Sequence, residues 1–253
     1  MPRLGAAYNV FDGLELLEAS INSIRDNVDY VCVILQSVSN YGNPVKTNYE
    51  FSNLEIHYYS PNLSLSPAWN EIRKRNIGRE MCKAAGCTHF MTIDADEFYL
   101  PEEFKRAKEI AFNFDSSACQ MLTYYKTPEY ILDPPEAYYV PFIYKLDNRE
   151  FSRNMYFPVM ADPTRKLKAG KIHLFPRNEL QMHHLSYVRN DIRQKLENST
   201  ARGNWNNLDK VVSYFQNWQY PQAALLAGGS ERFYQTKAVK FPLIDFLHDL
   251  HIK

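Results

Sequence analysis

Cysteine is scarce in this 253-residue chain: Cys32, Cys82, Cys87 and Cys119 are the four, and no two form a Cys-x-x-Cys pair. That spacing argues against a zinc site and against a disulfide scaffold. Cys32 sits inside the apolar run Val31 to Leu35, a usual place for a buried free thiol. All four are expected reduced, which points to an intracellular, cytoplasmic protein. An excess of charge is lacking too, because 29 Lys+Arg balance 29 Asp+Glu. Nucleic-acid binders normally carry a basic excess, so no nucleic-acid partner is expected. No apolar run approaches the roughly 20 residues of a membrane helix, and Met1 to Ala7 lacks the apolar stretch of a secretory signal. No integral membrane segment is therefore expected. The chain has no internal repeat, no low-complexity tract and no linker. It also has no glycine-rich phosphate loop after its first apolar run, where Gly5 and Gly13 stand alone.

What is present is ordinary globular composition, 45% hydrophobic and 23% charged, enough to bury a full core without staples. Aromatics are abundant at 14%, with 18 Tyr and 15 Phe, and such rings suit packing and sugar or base stacking alike. Short apolar runs alternate with helical stretches. Strands are expected at Leu4 to Tyr8, Tyr30 to Leu35, Leu54 to Tyr58 and Thr88 to Ile93. Helices are expected from Leu14, Leu17, Ile21 and Ile24, which share one stripe, and from Ser66-Pro67 up to Gly86. Gly78, inside that second helix, marks a close approach by a ligand or a neighbouring element. A further short helix starts at Leu100-Pro101. From Asp115 to Val188 the pattern changes to strand-like pieces between Pro-rich loops. After Asn190 it reads as helical to Leu250. The fold class is therefore α/β, with a mostly parallel, Rossmann-like central sheet. Residues 1–200 would form the main domain, and 201–253 a helical extension packed on it.

Three segments carry chemistry. The first is Thr92-Ile93-Asp94-Ala95-Asp96-Glu97, following an apolar strand. In extended backbone Asp94 and Asp96 would face one point beyond the carboxyl end of that strand, where open α/β sheets bind ligands. Three carboxylates in four residues repel unless a cation or a basic group sits among them. The second is His183-His184-Leu185-Ser186-Tyr187-Val188-Arg189; adjacent strand residues face opposite ways, so only one of the two histidines serves a given site. The third is Arg73-Lys74-Arg75-Asn76-Ile77-Gly78-Arg79 on the Pro67 helix, whose forked guanidinium groups suit oxyanions.

Taken in order, Ala7-Tyr8-Asn9, Arg75-Asn76-Ile77-Gly78, Ile93 to Glu97 and His184 to Arg189 resemble the GT-A-fold glycosyltransferases, most closely the large family-two-like group. The resemblance spans roughly residues 3 to 200. It implies a nucleotide-sugar donor, a divalent ion (Mn²⁺ or Mg²⁺) on its diphosphate, and transfer of the sugar to a glycan or glycoconjugate hydroxyl. By that resemblance Asp96 is the direct metal ligand, Asp94 binds the donor ribose or the metal through water, and His184 rather than His183 completes the set. Tyr8, Asn9, Asp12, Arg75, Asn76, Arg79, Asp94, Ala95 and Arg189 would hold the donor. Two departures stand out. Val10 occupies the place where many members carry an acidic residue, and the Glu-Asp pair of many inverting members is missing. Glu129 and Asp133 are the candidate bases, with inversion and retention both open, and Tyr124, Tyr125, Tyr130, Tyr138 and Tyr139 the candidate acceptor platform.

The chemistry then follows from charge. Breaking the glycosidic bond builds negative charge on the leaving diphosphate, which cations stabilise more in the transition state than in the ground state. Asp96→Ala is expected to abolish donor-induced stabilisation and leave the fold intact. Two other functions fit less of the sequence: a sugar nucleotidyltransferase, which would carry a glycine-rich loop, and a non-catalytic carbohydrate-binding protein.

Overall fold

Every side chain of β1 (Leu4–Val10) is buried, as a strand covered on both faces requires. The computed structural model describes residues 1–44, 54–168 and 170–247. β1 leads into α1 (Leu14–Ile24) through Gly13, whose φ of 75° is the left-handed turn that a glycine adopts freely. β2 (Tyr30–Gln36), β3 (Glu55–Tyr59), α2 (Pro67–Ala84) and β4 (His89–Ile93) follow. Pro67 opens α2, while Ser66 at its N-cap makes no side-chain capping bond. The four strands lie in the order β3-β2-β1-β4, all parallel. The chain therefore steps outward from β1 to β3 on one side, then returns to the other side with β4. A crevice opens at such a reversal, beyond the carboxyl ends of the two strands.

Alternation along β1 splits the core. Leu4, Ala6, Tyr8 and Val10 pack with Leu14, Leu17, Ile21 and Ile24 of α1, whereas Ala7 faces Ile72 and Cys82 of α2. Gly78 is where α2 meets the sheet: a Cβ there would stand 2.6 Å from the Ala7 Cβ and 2.8 Å from Ile34 Cδ1. The close approach marked by this glycine is thus to β1 and β2.

Beyond β4 the sheet becomes mixed. β5 (Glu97–Phe98), α3 (Pro101–Ala111), β6 (Ser116–Tyr125), β7 (Thr127–Asp133), β8 (Tyr139–Lys145), β9 (Ile172–Leu174) and β10 (Gln181–Tyr187) follow in order. β8 joins antiparallel to β4, and β6 joins antiparallel to β8. β10 runs parallel to β6 and antiparallel to the two residues of β5, and this ties the acidic segment to the histidine segment. Then come α4 (Ile192–Asn198), α5 (Leu208–Asn217), β11 (Ala224–Leu226) and β12 (Arg232–Ala238).

Two expectations are corrected. Residues 127–133 form a strand rather than a Pro-rich loop. The segment after residue 200 is only partly helical: β12 pairs with β7, and β11 with β12. Gly228-Gly229-Ser230 breaks the helical pattern, and the open edge of β7 supplies backbone partners for Arg232 to Ala238. Tyr125, Leu132 and Tyr187 pack with Val211, Phe215 and Trp218 in one cluster, so this segment shares its core with the sheet. Residues 248–250, the end of the expected helical stretch, lie outside the described residues.

Candidate active site

A cavity of about 560 Å³ opens where β1 and β4 end. Its wall takes Asn9 from the end of β1 and Asp12 from beyond it, Lys74 and Arg75 from α2, and Asp94 to Glu97 from the segment after β4. Asp162 and Arg165 come from the loop after β8, His184 from β10, Arg189 from just after it, and Lys195 from α4. Asp94 and Asp96 reach this wall by a route other than strand alternation. β4 stops at Ile93, and the next residues make a tight turn closed by the Glu97 N–H on the Asp94 carbonyl at 3.2 Å.

The turn is clamped by cations. Arg165 donates both arms of its guanidinium to Glu97, at 2.9 and 2.6 Å, and one arm also reaches Asp94. Arg75 stands 3.5 Å from Asp94 and donates to Thr92 Oγ1 at 2.8 Å. Asp96 Oδ2 accepts from Arg189 and, at 2.9 Å, from Lys195 Nζ, with His184 Nε2 3.7 Å away. Burial opposes the charge on Asp96, yet Lys195, Arg189 and His184 together hold its carboxyl well below the usual range. Burial likewise opposes Asp94, and Arg165 and Arg75 hold it low. Glu97 differs: burial pushes its carboxyl up to about 7 against the pull of Arg165. Burial also takes the His184 imidazole down to about 4, so it is neutral at physiological pH.

Several polar atoms at this wall have no hydrogen-bond partner. They are the acceptors Asn9 Oδ1 and Asp12 Oδ2, the ring atom His184 Nδ1, and the donors Arg165 Nε and Arg189 Nε. Buried polar atoms seldom go unpaired, and these five belong to residues of the cavity wall.

The expected metal set is Asp94, Asp96 and His184. Among the described residues no group of three or more His, Cys, Asp or Glu side chains gathers so as to hold an ion. Both aspartates already hold cations, and an ion on Asp96 Oδ2 would sit against Arg189 and Lys195, where like charges repel. As arranged, this donor set does not fit a divalent ion. Basic groups, one of the two partners expected for the acidic segment, stand against it.

Of the thirteen residues expected to bind donor or metal or to catalyse, the cavity brings together eight: Asn9, Asp12, Arg75, Asp94, Ala95, Asp96, His184 and Arg189. Five others lie elsewhere. Tyr8 faces α1, fully buried, with its hydroxyl 3.0 Å from Ser20 Oγ; period-two alternation puts it opposite Asn9. Asn76 holds the backbone of Phe151 at 2.9 and 3.0 Å in a separate groove beside Trp69. Arg79 donates to Glu80 and to the Asp147 carbonyl. Glu129 and Asp133 are exposed on β7, outside the cavity wall.

Of the tyrosines, Tyr138 and Tyr139 line the cavity, whereas Tyr124 and Tyr125 are core and Tyr130 stacks on Tyr220. His183 turns away from the cavity, into the core, 2.8 Å from the Tyr124 hydroxyl. Sequence reasoning missed Glu71, Arg153, Asp162, Arg165 and Lys195. Only the turn signal Asp162-Pro163 flagged that region, and nothing local distinguished Arg165 or Lys195 from surface charges.

Neither a protein-family model nor a curated sequence matches the chain. Similar solved structures include TarS 1-349 of S. aureus in complex with UDP, at 13% identity over 85% of this chain and 71% of that one, TM-score 0.43. A longer TarS structure matches at 13% identity over 77% of this chain and 38% of its own, TM-score 0.40. HddC from Yersinia pseudotuberculosis complexed with GMP-PN matches at 11% identity over 73% and 93%, TM-score 0.35.

Proposed function

We propose that this protein transfers a sugar from a nucleoside-diphosphate sugar to an acceptor hydroxyl on a glycan or glycoconjugate. One observation carries the reading: a cavity at the β1/β4 reversal that sets buried cations beside unpartnered acceptor atoms. A nucleoside diphosphate offers the matching groups, anionic oxygens for the cations and hydroxyl or ring N–H donors for Asn9 and Asp12. Arg75, Arg165, Arg189 and Lys195 would flank the diphosphate. Tyr138 and Tyr139 would offer ring faces to the sugar and acceptor.

In the reaction the anomeric carbon–oxygen bond to the diphosphate breaks, and its electron pair leaves with the diphosphate. The acceptor oxygen forms the new bond to the anomeric carbon, and its proton passes to a carboxylate of the cavity wall or to water. Charge grows on the leaving diphosphate, so fixed guanidinium and ammonium groups lower the barrier by holding the transition state more tightly than the ground state. The exposed Glu129 and Asp133 take no part.

We also place the protein in the cytoplasm, where four free, buried thiols suit a reducing compartment. No helix among the described residues is long and apolar enough to cross a membrane.

The test is donor hydrolysis. Incubation with a panel of nucleoside-diphosphate sugars, with and without Mn²⁺, should release free nucleoside diphosphate from one donor class above the no-enzyme rate. Binding of a sugar with no such release from any donor would instead make this a carbohydrate-binding protein and end the transferase reading.

A further inference from the structure

The acidic turn after β4 is fully occupied by side-chain cations. Asp94, Asp96 and Glu97 bring three carboxyl groups, met by Arg75, Arg165, Arg189 and Lys195, and Asp162 stands 3.8 Å from both Arg75 and Arg165. Three of those cations are at least nine-tenths buried: Arg75, Arg165 and Arg189. Arg165 and Arg189 each keep an Nε–H that makes no hydrogen bond, that of Arg165 lying 3.8 Å from Asp162 Oδ2, and both residues line the cavity. A guanidinium already neutralised by a carboxylate, with a donor to spare, is a built anion receptor: the carboxylate orients it and the free N–H waits for a second acceptor. Lys195 adds mobility. Its side chain is 22% exposed, so its ammonium can move from Asp96 to an arriving oxyanion without unfolding α4.

We infer that Arg165, Arg189 and Lys195 form a cationic clamp on the acidic turn that takes the place of a divalent ion, so that donor diphosphate binds without metal. This rests on the transferase reading above, and it assigns the charge-stabilising role to residues of the chain itself. In the clamp Asp94, Asp96 and Glu97 are positioning residues: they hold the cations, and the cations hold the diphosphate. The arrangement also explains why two aspartates beside a histidine fail to form an ion site. Asp96 Oδ2, the oxygen nearest His184, is already shared by Arg189 and Lys195.

The experiment is calorimetric titration of the full chain with UDP, GDP, ADP, CDP and dTDP, once in EDTA and once in Mn²⁺. The clamp predicts that the tightest of these binds with affinities within about threefold of each other in the two buffers. It further predicts that Lys195→Gln, folded as judged by its unfolding transition, loses about tenfold or more in EDTA. Binding that appears only with Mn²⁺ overturns the clamp and leaves the transferase reading standing. Failure of all five diphosphates in both buffers overturns the transferase reading, and the clamp with it. Metal-indifferent binding unchanged by Lys195→Gln also overturns the three-residue clamp. The comparison of the two buffers uses the unaltered chain, so a misfolded variant cannot mask the answer.

Discussion

Lys195 Nζ lies 2.9 Å from Asp96 Oδ2, although ninety-nine residues separate them in sequence. The contact joins α4 to the turn after β4 and completes the cationic wall of the cavity. It also changes what replacing Asp96 should do.

Asp96→Ala leaves Arg189 and Lys195 facing each other without their shared carboxylate. Lys195 can swing toward solvent, but buried Arg189 cannot. Removing one partner of a buried ion pair typically costs about 3–5 kcal/mol. The variant should therefore lose both donor binding and stability, of that order, in urea-induced unfolding. This revises the expectation that the fold stays intact. A loss below about 1 kcal/mol, the value of a surface pair, would show that the turn does not depend on the clamp.

Gly78→Ala should destabilise the protein even though alanine is the better helix former by about 1 kcal/mol. The added methyl meets Ala7 Cβ at 2.6 Å and Ile34 Cδ1 at 2.8 Å. Overpacking of this kind typically costs about 1–3 kcal/mol. α2 would have to slide off the sheet and take Arg75 with it, so donor affinity should fall as well. A raised unfolding midpoint would contradict the tight contact.

Buried histidines should lower stability as pH falls below the ordinary histidine range. Burial lowers His183 to about 4 and also lowers His89. Each is depressed in the folded chain, so the unfolded chain takes up the proton first. The contribution is complete above the unfolded value and is lost as pH drops toward the folded one. His184, also lowered to about 4, adds to this trend, and Glu97, raised to about 7, opposes it. The check is therefore the change in urea midpoint between pH 7.5 and 5 in the unaltered chain against His183→Gln: the variant should lose less, or gain more, on acidification, and an identical change in both would contradict the burial of His183.

Glu129→Gln and Asp133→Asn lie outside the cavity on β7. Both should leave donor turnover within about twofold of the unaltered chain. A hundredfold fall in either would place β7 at the reacting centre and redraw the site.

The N-terminal half of this fold is legible because each element obeys one period. α1 is expected from a stripe of four apolar residues and spans Leu14–Ile24. β4 reads as one apolar run and is buried throughout. β7 and β12 escape because each has only one local partner, β6 across Lys126 and β11 across Gly228-Gly229-Ser230, and their pairing with each other spans about a hundred residues, which no local pattern records. The acidic turn and His184 were legible as a site because charge next to a buried strand end is costly and needs a reason. Their partners were not. Arg165 comes from a loop and Lys195 from a seven-residue helix, and only the folded chain brings them to Asp94 and Asp96. The basic groups expected to relieve that acidic segment are Arg75, Arg165, Arg189 and Lys195.

The most direct measurement is a crystal structure of the chain soaked with whichever nucleoside diphosphate binds tightest. The account predicts the diphosphate between Arg165, Arg189 and Lys195, with the nucleoside against Asn9 and Asp12. A diphosphate in the groove beside Trp69, or anywhere else away from the β1/β4 cavity, would contradict it.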